Sequence, residues 1–405
     1  MRRSFLVAAS AAILLLVACS GSSTHSASSS SSASLGGSVP QGPDPAPATA
    51  AAAPAEPAQP TGATVDVPDS IAHDCSDDVT SALNSFFSGV KNNSTVRFAS
   101  GGCYRIEDTV VVDGKQKLLL DGQGAQLRAT TTGDQGRRHL TISSSSDITV
   151  RDVTVVGSND KAGASKDAYN ENLAFQHAFN LQGDDRILLD SVKATKLHGD
   201  FVYIGGNKQN GGSTDVIVRH SQFDGSGRQG ISVVQAERVL ITSNSLTGAA
   251  RSMFDIEPNT PSSPVKDVRI TGNQTGAAVN FWLADKGSAA PIGPVEIDNN
   301  TMNATTGGLL FAYAPEGAVR GPWIIHDNNF IANDAVHDEG SVGAFLFRNC
   351  ADITLRNNKV TFPPSGTMPA VELRTSKTVL LEGNDFTGAS QPVLADAGTT
   401  DVTVR

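Results

Sequence analysis

The chain has 405 residues, a formal net charge of −10 and 5% aromatic residues. So acidic a balance argues against a nucleic-acid partner, which would favour a basic face. The length admits one large domain or two ordinary ones behind any leader.

The opening residues, MRRSFLVAASAAILLLVACSGSS, set Arg2 and Arg3 before an apolar run from Phe5 to Ala18. That run is too short for a membrane span and reads as a signal peptide over residues 1–18. Leu16-Val17-Ala18-Cys19 resembles a bacterial lipobox. The resemblance implies cleavage before Cys19, a diacylglycerol on its thiol, and attachment to the outer face of a bacterial membrane. From Ser20 to about Pro68 there is no aromatic residue, Lys or Arg, and there are eight prolines. Such a composition cannot bury enough apolar surface to offset ordering entropy. Residues 19–65 are therefore expected as a disordered Ser/Ala/Pro-rich tether and 66–405 as the folded domain.

The domain opens with DDVTSALNSFFSGV, in which Val79, Leu83, Phe86, Phe87 and Val90 share one helical face, with Asp77 and Asp78 at the favourable N-terminal end. The segment predicts a capping helix over an open sheet end. In an exported chain Cys75 and Cys103 are expected to pair, tying the segment before this helix to an early strand. Cys350 is then left as a small buried residue.

Beyond the helix one phrase returns: VRHSQF, ITSNSL, ITGNQT, IDNNTM, HDNNF, LRNNKV, LEGNDF. Taking Asp190, Ser221, Asn244, Asn273, Asn300, Asn328, Asn358 and Asn384 as its polar position gives spacings of 31, 23, 29, 27, 28, 30 and 26. Fixed periods in this range mean stacked supersecondary units. A second short strand lies between successive phrases (FVYIG, GISVV, FDIEP, NFWLA, LLFAYA, AFLFRN, AVELR), and no convincing helical period follows the first ninety residues. Helical solenoids are thereby excluded, and propeller blades run nearer forty residues. The pattern predicts an all-β fold, a right-handed, single-stranded parallel β-helix with an N-terminal capping α-helix. An Asn stacked at one turn would bond backbone groups of neighbouring coils.

The capping helix, the following TVRFASGGCYRIEDTVVVDGKQKLLLDGQGAQL and these coils resemble the pectate-lyase and polygalacturonase superfamily, over roughly residues 75–405. The resemblance implies the fold. It also implies glycoside hydrolases, polysaccharide lyases, epimerases, phage tail enzymes and some non-catalytic members. HGD, ending at Asp200, stands near the first element of the polygalacturonase pattern; the paired Asp-Asp of that pattern is absent.

Candidate site residues come from SMFDIEPN, residues 252–259. With Phe254 and Ile256 in the core, alternation turns Asp255 and Glu257 outward, since burying an unpaired carboxylate costs several kcal/mol. Matching positions on neighbouring coils lie about 4.8 Å apart. Asp200, His198 and Tyr203, then Arg228 and Gln229, and finally Trp282 are thus expected beside those acids. Asp200, Asp255 and Glu257 are the candidate catalytic carboxylates, because glycoside cleavage needs an acid and a second carboxyl about 5–9.5 Å apart. Tyr203 and Trp282 are candidates for stacking on sugar, and His198, Arg228 and Gln229 for polar contacts. Long segments flank this patch, the largest being SNDKAGASKDAYNENLAFQHAFNLQGD. No cofactor is expected for a hydrolase. A lyase or epimerase would use the same patch with Ca²⁺ on the three acids, and a non-catalytic glycan-binding module is the third reading.

Overall fold

The computed structural model describes residues 49–303, 308–333 and 340–405. The expected signal peptide, Cys19 and the expected tether up to residue 48 lie outside the described residues. No described helix is long and apolar enough to cross a membrane.

The chain winds as a solenoid whose coils each lay short strands on three parallel sheets. One coil supplies Gly211–Arg219, Gln222–Ser226 and Ile231–Val233; the next supplies Ala236–Thr242, Ser245–Ala249 and Phe254–Ile256. Parallel register stacks like on like. Val216, Val239 and Val268 align on the first sheet, Phe223 and Leu246 on the second, and Ile231, Phe254 and Leu283 on the third. Each of these side chains is at most 1% exposed. Full burial of such a residue contributes about 1.5–3 kcal/mol, so the β-branched and aromatic alternation in the sequence is converted directly into a continuous core.

The recurrent Asn forms a ladder at the turn between the first and second sheets. Asn244 Oδ1 accepts the Ser221 N–H at 2.9 Å, Asn273 Oδ1 accepts that of Asn244 at 3.0 Å, and the chain of bonds continues through Asn300, Asn328, Asn358 and Asn384. Each Asn side chain also donates to a main-chain carbonyl, as Asn300 Nδ2 does to Ile270 at 2.8 Å. The expected rung at Asp190 is displaced. Asp190 pairs with Arg219, and Val192 stands below Ser221, its N–H donating to the Ser221 hydroxyl at 3.2 Å.

The capping helix α1 spans Thr80–Gly89. Leu83 and Phe87 are buried, and Asp78 Oδ1 accepts the N–H and hydroxyl of Thr80 at 3.0 and 2.6 Å. Asn84 pins the helix to the first full coil by donating to Thr109 O at 2.9 Å and accepting from Val111 N at 2.8 Å. Cys75 and Cys103 are disulfide-bonded, joining Asp74–Asp78 to Cys103–Arg105, and Cys350 is a buried free thiol. One boundary differs from expectation. Residues 51–61, placed within the tether by composition, hydrogen-bond to the solenoid, and Thr64–Asp66 pairs with Thr95–Arg97.

Candidate functional site

The strand Phe254–Ile256 sends Phe254 and Ile256, each 1% exposed, into the core. Asp255 therefore faces the other way, level with Ser232 one coil below and Tyr203 two below. The outward direction matches the expectation from alternation, but the depth does not. Asp255 is 2% and Asp200 0% exposed, while Glu257, just past the strand, keeps a side chain 32% exposed.

The cover comes from Arg228 and Gln229, in the bend that precedes Ile231–Val233. Arg228 Nη1 donates to Asp200 Oδ2 at 2.7 Å, and its Nη2 to Glu257 Oε2 at 3.2 Å. Gln229 Nε2 donates to Asp255 Oδ2 at 2.6 Å, and its backbone N–H to Asp200 Oδ1 at 3.0 Å. Gln229 is itself aimed by the Ser252 N–H, which donates to its Oε1 at 2.7 Å. Asp200 Oδ2 also accepts the Ser232 hydroxyl at 2.8 Å. Five of the eight expected residues, Asp200, Arg228, Gln229, Asp255 and Glu257, thus form one constellation drawn from three successive coils.

Tyr203 joins it through an aromatic stack. Its ring lies 4.8 Å from that of His177, at 18°, and its hydroxyl accepts from Asn259 Nδ2 at 3.3 Å. His177 Nδ1 accepts the Asp200 N–H at 3.0 Å, which leaves the proton of the neutral ring on Nε2. Phe175 meets His177 edge-on at 6.3 Å and is 48% exposed. His177 and Phe175 were not singled out from sequence. Their only signal was membership of the long excursion before Asp200.

Trp282 is not in the patch. It is 1% exposed inside the solenoid, against Phe254 at 4.8 Å and Phe330 at 5.3 Å, with Nε1 donating to Thr275 Oγ1 at 2.6 Å. Strict alternation failed because two consecutive residues face inward where these coils enter the sheet. Phe201 with Val202, Met253 with Phe254, Trp282 with Leu283 and Leu309 with Leu310 all belong to the core in this way. His198 also stands apart from the acids: its ring nitrogens are buried without a hydrogen-bond partner, and burial and then Arg137 hold it below the usual imidazole range.

Charge in the constellation is unbalanced, three carboxyls facing one guanidinium. Burial works against the charge on Arg228, but Asp200, Asp255 and Glu257 outweigh it and keep the group cationic. Burial pushes Asp200 upward, opposed first by Arg228. Burial and then the Glu257 carboxyl push Asp255 well above the usual carboxylate range. Burial, with Arg228 and Arg138 nearby, holds His177 well below the imidazole range and therefore neutral. The site thus presents a carboxylic acid able to give a proton, a more accessible carboxyl beside it, a fixed cation and an exposed aromatic edge.

A Ca²⁺ ion on Asp200, Asp255 and Glu257 does not fit this arrangement, because the Arg228 guanidinium already bridges Asp200 and Glu257. Among the described residues, a different cluster has metal-binding donor types: Glu296, Asp298 and His326 each offer one atom within 4.8 Å of the others, on the first sheet. Both Asp298 oxygens there accept from Arg269, at 2.9 and 3.0 Å.

A family model described as a right-handed β-helix region matches residues 210–386. The chain is similar in fold to several solved structures. An endo-xylogalacturonan hydrolase from Aspergillus tubingensis superposes with a TM-score of 0.59 at 15% identity, over 82% of this chain and 96% of the other. A polygalacturonase from Erwinia carotovora gives 0.57 at 13%, over 88% and 100%. The surface protein and adhesin PfbA of Streptococcus pneumoniae gives 0.55 at 14%, over 84% and 99%. A search of curated protein sequences returns no match.

Proposed function

We propose that the chain is a carbohydrate-active β-helix, exported and lipid-anchored at Cys19, that hydrolyses a glycosidic bond of a polysaccharide at the Asp200–Arg228–Asp255–Glu257 constellation. The observation that carries this reading is the pairing of Asp255, which burial and then the Glu257 carboxyl push well above the usual carboxylate range, with the more accessible Glu257 beside it. In this scheme Asp255 gives its proton to the leaving oxygen and Glu257 takes one from the attacking water. One guanidinium, that of Arg228, holds Asp200 and Glu257 to the same site. Phe175 offers an edge for the apolar face of a sugar ring. Hydrolases of this fold that act on galacturonan-type polymers are consistent with such a substrate.

A second reading is favoured by the closure of Asp200 and Asp255, which leaves Glu257, Arg228 and Phe175 as the accessible parts. That surface suits a non-catalytic glycan-binding module, and an adhesin shares the fold. A lyase or epimerase ranks lower because Arg228, the natural base, is protonated and held by two carboxyls.

The test is incubation of the protein with plant, algal and bacterial envelope polysaccharides, followed by mass analysis. Hydrolysis gives new reducing ends without unsaturated sugars, and Asp255→Asn should lower turnover about 10²–10⁴-fold while the fold persists. Ultraviolet-absorbing unsaturated products would identify a lyase. Binding without turnover in the parent protein would leave the adhesive reading.

A further inference from the structure

The segment before the solenoid runs across successive coils, and it does so with a fixed period. The backbone N–H groups of Ala52, Ala55, Ala58 and Thr61 donate to Asp267 Oδ1 at 3.0 Å, then to Asp215 Oδ1, Asp147 Oδ1 and Asn93 Oδ1, each at 2.9 Å. The donors recur every third residue. The acceptors recur on every second coil, because register stacks Asn93, Lys117, Asp147, Arg186, Asp215, Arg238 and Asp267 in one column of the first sheet.

The two periods match in length. Polyproline II advances about 3.1 Å per residue, so three residues cover about 9.3 Å. Two coils at about 4.8 Å cover about 9.6 Å. An extended strand has a similar rise but a two-residue alternation, and so would not turn every third amide to the same side.

Sequence and column are both adapted to this fit. Pro54, Pro57 and Pro60 immediately precede Ala55, Ala58 and Thr61; Pro57 is buried and the other two are half-buried. Each proline fixes φ near the polyproline II value and carries no N–H of its own. In the column, all seven residues have left-handed backbone, with φ between 51° and 60°. The cations of the intervening coils hold the acceptors in place: Arg186 grips Asp147 at 2.7 and 3.0 Å, and Arg238 grips Asp215 at 2.7 and 2.8 Å. Further contacts come from Gln59 Nε2 to Thr149 Oγ1 at 3.2 Å and from an ion pair between Glu56 and Arg219. Beyond Asp267 the column continues as Pro294 and Pro322, which offer no carboxylate, and the regular bonding stops there.

We propose that this column is a recognition groove for a polyproline II segment of repeating Pro-x-x, filled in cis by residues 52–61. Docking ties together the coils from Asn93 to Asp267. The occupant is this chain's own strap, since its prolines and donors keep the groove's period.

Amide exchange followed residue by residue on the full chain tests the assignment. Ala52, Ala55, Ala58 and Thr61 should exchange about tenfold or more slowly than Ala53, Glu56 and Gln59, one hydrogen bond being worth about that factor. Combining Ala55→Pro with Ala58→Pro keeps polyproline II but removes two donors, and should abolish protection at Ala52. Read at Ala55 and Ala58, inserting one alanine between Gln59 and Pro60 should abolish protection, whereas inserting Pro-Ala-Gln there moves each donor one acceptor along and should keep Ala58 protected on Asp215 and Ala55 on Asp267. Uniformly fast exchange over 51–61 in the parent, or equal effects of the one- and three-residue insertions, would overturn the proposal. Protection that vanishes on dilution of a dimer would overturn the assignment in cis.

Discussion

Replacing Arg228 by Met tests whether the constellation is held by charge. Met keeps much of the side-chain volume but removes the donors at 2.7 Å from Asp200 and 3.2 Å from Glu257. Asp200 is 0% exposed and keeps only the Gln229 N–H and the Ser232 hydroxyl. Breaking one side of a buried pair costs about 3–5 kcal/mol, because the remaining charge is uncompensated. Burial already pushes Asp200 upward, and losing the opposing guanidinium pushes it further. The folded variant then holds a proton that the unfolded chain releases above about pH 4. By linkage its stability falls as pH rises from there through the raised folded value, and returns on acidification. Denaturant melts at pH 7.5 and pH 4.5 should therefore show a deficit relative to the parent of about 3–5 kcal/mol at the higher pH and a clearly smaller one at the lower. Adding Asp200→Asn should recover much of the loss at pH 7.5. An equal deficit at both pH values, with no recovery in the double variant, would refute the electrostatic account and leave only lost packing.

Two further perturbations address the scaffold. Asn300→Ala deprives Asn273 of the acceptor for its backbone N–H (2.9 Å) and its Nδ2 (3.0 Å), and strips Ile270 O of a donor. At about 1–3 kcal/mol per buried orphan, calorimetry should show a loss of several kcal/mol, and a loss below about 1 kcal/mol would mean that the ladder is not cooperative. Trp282→Ala empties a core site between Phe254 and Phe330 and should cost about 3–5 kcal/mol in melts, with any glycan affinity unchanged once folding is restored by temperature.

Sequence reasoning read the solenoid well because its two signals are local and repeated. An apolar residue at alternate positions recurs on every coil and an Asn at the turn recurs from Asn244 to Asn384, so one misplaced rung, Asp190 for Val192, does not disturb the rest. The site was legible in register but not in depth. Alternation turned Asp255 away from Phe254, yet nothing in SMFDIEPN says that Gln229 and Arg228 reach across from the coil below to cover it. Trp282 breaks alternation because it and its neighbour Leu283 both face the core. His177 escaped notice because the excursion that delivers it has no period. The strap shows the opposite failure. Its Pro-x-x triplets are plain in the sequence, but Asn93, Asp147, Asp215 and Asp267 become one column only when coils of unequal length are stacked.

Comparison of two groups of outer-face carboxylates separates scaffold from site. Asp147 and Asp215 are little exposed, at 7% and 6%, yet both are held below the usual carboxylate range. For Asp147 the leading cause is its bond from Arg186. For Asp215 burial pulls upward, and Arg238 with the Ala55 amide outweighs it. Each such acid has its own bidentate Arg, which is how a structural ion pair removes the penalty of burial. Asp255 is also little exposed, but it shares Arg228 with Asp200 and Glu257 and is pushed the other way. Balanced pairs explain the strap face by stability alone. A buried acid pushed upward beside another acid contributes nothing comparable to stability, and stability therefore gives no reason for its presence next to an exposed aromatic edge. The three carboxyls that share Arg228, more than the burial of any single residue, are what support the role proposed for Asp255 and Glu257.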